Sequence, residues 1–172
     1  SRKRRSRPLS LHINRKAVTA PVLTAQTYYA HTHDAPMDHV ELTYEDRFLR
    51  RKVLTLASGA QLLVDLPHTT SLDHGGALIT SDGREVRIDA APEPLLEVTG
   101  DALHRIAWHI GNRHTPCQIE PDRLLIQRDH VMADMLGKIG ATTRDVVEPF
   151  TPEGGAYGHG RTHGHDHSHS HT

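Results

Sequence analysis

The feature that most restricts the fold of this chain is a change in hydrophobic pattern near Pro92 and Pro94. Upstream, short stretches rich in β-formers are separated by turn residues; downstream, apolar residues recur with the spacing of a helix. PVLTAQTYYA (21–30), VELTYEDRFL (40–49), KVLTLASG (52–59) and AQLLVDLP (60–67) belong to the first kind. Ser58-Gly59 predicts a hairpin turn between the last two, and Asp82-Gly83 predicts another inside ALITSDGREVRI (77–88). Residues 20–91 are therefore expected to form a small all-β domain. A polar loop with His31, His33, Asp34, Asp38 and His39 follows its first segment.

Residues 92–152 carry the second pattern. LLEVT (95–99) reads as a strand, and Asp101 stands where a helix N-cap is wanted. Leu103, Ile106, Ala107 and Ile110 then form a buried stripe, with Gly111 as the expected C-terminal stop. Two short strands follow, near Gln118–Glu120 and Leu124–Gln127, joined at Pro121-Asp122. A second helix is expected from about Asp129 to Lys138, burying Val131, Met132, Met135, Leu136 and Ile139 and ending at Gly140. TRDVVEPF (143–150) returns as a strand. This β-α-β-β-α-β order is the ferredoxin-like arrangement, so the expected class is α+β: a small all-β N-terminal domain, then a ferredoxin-like domain.

Composition bears on the two ends. Residues 1–16 hold seven of the 20 Lys and Arg and no acid, leaving 13 basic against 21 acidic groups in the remainder. Residues 1–19 are expected to be a disordered basic extension; the arm lacks the interleaved aromatics of an RNA-binding segment, which argues against nucleic acid as a partner. Residues 153–172 are Gly- and His-rich, with no apolar residue after Tyr157, and are expected to be a flexible tail. The single cysteine, Cys117, excludes an intramolecular disulfide and fits a reducing, cytoplasmic setting. No run of about 18 apolar residues is present, so no membrane span is expected.

Histidine is the exceptional number, 16 of 172 residues. His163, His165, His167, His169 and His171 occupy every second position of the tail, with His159 upstream. Imidazoles on a flexible chain can gather around one ion, and imidazole suits nickel, copper and zinc alike. Beside the tail stands Trp108-His109-Ile110-Gly111-Asn112-Arg113-His114, where His109 and Arg113 fall at the edge of the helical stripe and His114 just beyond Gly111. His130 follows Asp129 at the start of the second helix. Taken singly, each of these three is an ordinary surface histidine. No H-E-x-x-H, G-x-S-x-G, Walker loop or Cys-x-x-Cys pair is present, which removes the familiar catalytic classes without excluding an enzyme; a metal-binding role through histidine, not catalysis, is the expected one.

LHRIAWHIGNRHTP (103–116), RDHVMADMLGKIGA (128–141) and EPFTPEGGAYGHG (148–160), followed by the His-rich tail, resemble the urease accessory nickel metallochaperones, the UreE family. RKVLTLASGAQLLVDLPHTTSLDHGGALITSDG resembles that family's N-terminal β domain. The resemblance covers roughly residues 20–172. It implies a peptide-binding β domain, then a metal-binding domain through which two chains pair as a homodimer. It also implies that His114 sits at the dimer interface, where two copies share one Ni(II), and that urease apoprotein and other accessory proteins are the partners. Zn(II) or Cu(II) can use the same histidines. Only His130 remains of a His-x-His that some members carry, since position 128 here is Arg128. His109 matches a family histidine near the interface. The alternative reading is a general divalent-metal buffer or storage protein working through the tail.

Overall fold

The computed structural model describes residues 22–154. The basic extension and the tail histidines His159, His163, His165, His167, His169 and His171 lie outside the described residues. Two antiparallel-rich sheets and two helices make up the structure. Strands β1 (Leu23–Tyr29), β2 (Asp38–Leu42), β3 (Phe48–Thr55), β4 (Gln61–Ser71), β5 (Ala77–Thr80) and β6 (Glu85–Ala90) form a six-stranded sheet in the order β2-β6-β5-β1-β4-β3. Its alternating residues, among them Leu62, Val64, Leu78, Val86 and Ile88, are fully buried in one apolar cluster. The two expected hairpin turns are present, with Gly59 at φ +89° and Gly83 at φ +84°, conformations that glycine adopts without steric cost.

Strand β7 (Pro92–Thr99) follows β6 after the single residue Ala91 and begins the second unit. Helix α1 (Leu103–Asn112), strands β8 (Gln118–Ile119) and β9 (Leu124–Gln127), helix α2 (His130–Lys138) and strand β10 (Thr142–Pro149) complete it. The β-α-β-β-α-β order is the one expected, and the strands lie in the order β10-β7-β9-β8, every neighbour antiparallel. Strand β7 starts at Pro92, earlier than the expected Leu95, because it pairs with β10 along its whole length. Side chains alternate across this sheet: Leu96, Val98, Leu124 and Ile126 pack against Ile106 and Ile110 of α1 and Met132 and Leu136 of α2. Leu95 and Leu125 point to the other face, against Phe150.

Two expectations fail here for identifiable reasons. VELTYEDRFL is not one strand; β2 ends at Leu42 and β3 begins at Phe48. The intervening turn carries Tyr44 and Arg47 into the junction between the sheets. The Tyr44 and Phe150 rings meet edge to face at 5.5 Å, and the Tyr44 N–H donates to Glu93 Oε2 at 2.8 Å. Arg47, only 3% exposed, donates to the carbonyls of Leu42 and Phe150. The second failure is in α2, where Val131 and Ile139 are exposed although both were expected in the core; Met132 and Leu136 alone are buried. A nine-residue helix buries one narrow stripe, with Met135 half-buried beside it; Val131 lies about 100° around the helix from Met132, and Ile139 is the C-cap, past the last helical residue Lys138.

The junction yields a prediction. Arg47→Met removes the buried guanidinium from Leu42 O and Phe150 O, which should cost roughly 2–4 kcal/mol of stability. Urea denaturation followed by circular dichroism measures it, and an unchanged midpoint would show that the guanidinium does not hold the sheets together.

Candidate metal centre

Helix α1 exists because its apolar stripe has a sheet to cover: Ile106 and Ile110 are buried, with Leu103 and Ala107 packed beside them. Its start differs from expectation. The N-cap is Ala102, and no side chain caps it, so Asp101 does not act as the cap. Gly100 has a packing role there, since a Cβ would meet Ile106 Cδ1 at 2.8 Å.

Its end differs too. Gly111 was the expected stop, but α1 continues through Asn112 and the reversal falls at His114. Arg113 is the C-cap and His114 the first residue beyond it, with φ +57°. The His114 N–H donates to Gly111 O at 3.0 Å, and the Thr115 N–H donates to Ile110 O at 3.4 Å. This pair of bonds is the Schellman ending, whose pivot residue must be left-handed and is usually glycine. Helix α2 ends in the same way. Gly140, at φ +86°, donates its N–H to Gly137 O at 3.2 Å, and Ala141 donates to Leu136 O at 3.0 Å. The same local problem is thus solved by glycine in one helix and by histidine in the other. Among the described residues His114 is the sole non-glycine with positive φ. A left-handed L-residue costs roughly 1–2 kcal/mol, so the imidazole stands there at some expense to the fold.

His130 is the first residue of α2 and is exposed. It follows Asp129, whose carboxylate accepts the N–H groups of Val131 (2.8 Å) and Met132 (3.1 Å) as an N-cap. Thr115 Oγ1 lies 3.8 Å from Met132 Sδ, so the exit of α1 and the first turn of α2 touch. His114 and His130 therefore sit at one end of the helix layer. His109 lies in the last turn of α1. It lines a cavity of about 440 Å³ with Asp101, Arg105, Ile139 and Gly140, which come from the start of α1 and the end of α2. Its ring packs edge to face with Trp108 at 5.1 Å.

The segment after β10 bonds to the chain that follows the α1 reversal. The Glu153 N–H donates to Cys117 O at 2.9 Å, and the Thr151 N–H donates to Gln118 Oε1 at 2.8 Å. The chain that continues toward the tail histidines is thus tied down three residues beyond His114. Cys117 itself is a poor ligand: burial, with a smaller contribution from Glu153, pushes its thiol up to about 11. Among the described residues no three His, Cys, Asp or Glu side chains converge to hold an ion. The sequence places the helix stop at Gly111 with His114 just beyond it, whereas His114 is itself the pivot. The G-N-R-H run offers no local signal that histidine takes the glycine role.

Replacing the pivot separates fold from function. His114→Gly should keep or raise stability, by up to about 1 kcal/mol, because glycine reaches positive φ without strain. Gly140→Ala should lower stability by about 1 kcal/mol at the equivalent position. Paired denaturant titrations test this, and a clear loss of stability in His114→Gly would contradict it.

Comparison with known proteins gives concordant results. The family model described as UreE urease accessory protein, N-terminal domain, matches residues 20–91, and the one for the C-terminal domain matches residues 93–172. The chain is 67% identical over 147 residues to a urease accessory protein UreE of Ruegeria sp. (strain TM1040), covering 85% of this chain and 84% of that one. It is 69% identical over 126 residues to the protein of the same name from Ruegeria pomeroyi, covering 73% of this chain and 85% of the relative. With the Paracoccus denitrificans protein the identity is 57% over 128 residues, covering 74% and 82%.

Proposed function

Because this chain belongs to the urease accessory protein UreE family, we propose that it serves urease maturation as a carrier of nickel, delivering Ni(II) rather than catalysing a reaction. The observation that carries this reading is His114, an exposed imidazole held at a left-handed pivot where glycine serves the other helix. One copy per chain supplies one nitrogen. A two-fold axis through this end of the molecule would supply two, and the shared ion would draw its other ligands from the tail, from water or from the receiving protein. An open coordination sphere suits a protein that must release its cargo.

The surface around α1 supports pairing with a second copy. Trp108 is 63% exposed and Val131, in the first turn of α2, is 55% exposed. Gly111 lies on the exposed side of α1, and a Cβ there would meet nothing within 4 Å. Glycine inside a helix costs about 1 kcal/mol relative to alanine, and no contact among the described residues demands it. Close approach of another backbone gives it a purpose. The tail supports the same site. Five residues separate Glu153 from His159, a reach of up to about 20 Å of extended chain, which lets the tail bring an imidazole toward an ion at His114. His130 stands at the same end as a candidate supplementary ligand, while His109 is the weakest candidate of the three. The ferredoxin-like unit thereby holds the ion, and the six-stranded sheet is left to contact urease apoprotein or other accessory proteins.

Two outcomes test this reading. Nickel should drive chains lacking the tail into dimers, and His114→Ala should abolish that response, because a ligand bound only by the paired form stabilises it. Sedimentation with and without nickel reads it; monomers under every condition would contradict pairing around a shared ion. In cells, loss of the protein should leave urease made but short of nickel, with the defect worst at low nickel. His114→Ala should reproduce it more closely than tail deletion does. A storage protein predicts the opposite ranking, the tail-less strain suffering chiefly from excess nickel.

A further inference from the structure

The loop between β1 and β2 is pinned to the first sheet by one side chain. Glu85, at the start of β6 and 6% exposed, accepts the N–H of Asp34 at 2.8 Å and that of His33 at 3.1 Å. Its own carbonyl accepts the Met37 N–H at 2.9 Å. The Asp34 amide above all, with that of His33, holds the Glu85 carboxyl below the usual range, so it is ionised at neutral pH. This carboxylate stands 3.5 Å from Nδ1 of His33, and the Tyr29 ring meets the imidazole edge-on at 5.6 Å.

A carboxylate beside Nδ1 favours the tautomer with its proton on that nitrogen and leaves the Nε2 lone pair available. The same carboxylate–imidazole arrangement stands behind metal-ligating histidines, where it fixes the ring and makes the nitrogen a better donor. The His33 side chain is 65% exposed, with Nδ1 turned to Glu85, so the far side of the ring faces solvent. His31, two residues earlier in the same loop, is exposed as well.

We propose that His31 and His33, with Glu85 supporting His33, form a second site for a divalent first-row metal ion, separate from His114. No third protein donor converges there among the described residues, so water completes the coordination sphere. Two imidazoles on a surface loop bind weakly and exchange readily, which suits a point of entry for ions rather than a store. The site lies on the first sheet and does not depend on two chains meeting.

The test uses the full chain and Ni(II) alone. Equilibrium dialysis at saturating nickel should show the His31→Ala/His33→Ala double variant binding one ion fewer per chain than the native protein, with an unchanged thermal midpoint. Glu85→Gln, which keeps an oxygen for the two amide bonds, should weaken this site by about 10- to 100-fold without changing the count at saturation. The difference should persist in a His114→Ala background, so failure of the shared site leaves this result readable. Equal counts in the native and double-variant proteins would overturn the proposal. Unchanged affinity in Glu85→Gln would overturn the part assigned to the carboxylate.

Discussion

The burial of Ile110 is the contact on which the geometry of the site depends. Its side chain is wholly enclosed against the second sheet, while its carbonyl accepts the Thr115 N–H that closes the end of α1. Packing thus fixes the rotation of the helix, and the rotation fixes where the chain reverses. Leu136 does the same for α2, fully buried and accepting from Ala141. Two helices with equivalent anchors differ at the pivot, histidine in one and glycine in the other. The strain at His114 is small beside the roughly 5–15 kcal/mol by which domains are stable, so an apolar anchor of this kind can sustain it.

The junction between the sheets fixes a second relation. Leu42 O accepts both the Ala91 N–H at 2.9 Å and the Arg47 guanidinium, which also reaches Phe150 O. Phe150 is the residue after β10, so the first sheet helps to hold the segment leaving the second. That segment then bonds to Gln118 and Cys117 before residue 154. The two sheets thus hold residues 150–153 between Arg47 of the first and Cys117 and Gln118 of the second.

Much of this was legible in the sequence where local pattern and tertiary packing agree. The glycine turns at Gly59 and Gly83, the β-α-β-β-α-β order of 92–149 and the buried stripe of α1 all follow from period and turn chemistry. Legibility failed where a long-range contact overrode the local pattern. Tyr44 and Arg47 interrupt a run of β-formers because the junction needs them, and their partners Glu93 and Phe150 lie far along the chain. Asp101 has the chemistry of a cap yet α1 starts without one, and Gly111 has the chemistry of a stop yet remains helical. His114 was singled out through the family resemblance; its left-handed conformation is a property of the packed helix end that G-N-R-H does not encode by itself.

The claim that two copies of His114 share one nickel ion is tested most directly by anomalous diffraction at the nickel edge from crystals of the full chain grown with Ni(II). The account predicts an anomalous peak on a two-fold axis between chains, within about 2.2 Å of an imidazole nitrogen of His114 from each, since metal–imidazole bonds are about 2.0–2.2 Å. Nickel peaks only elsewhere, with His114 of each chain facing solvent, would contradict it.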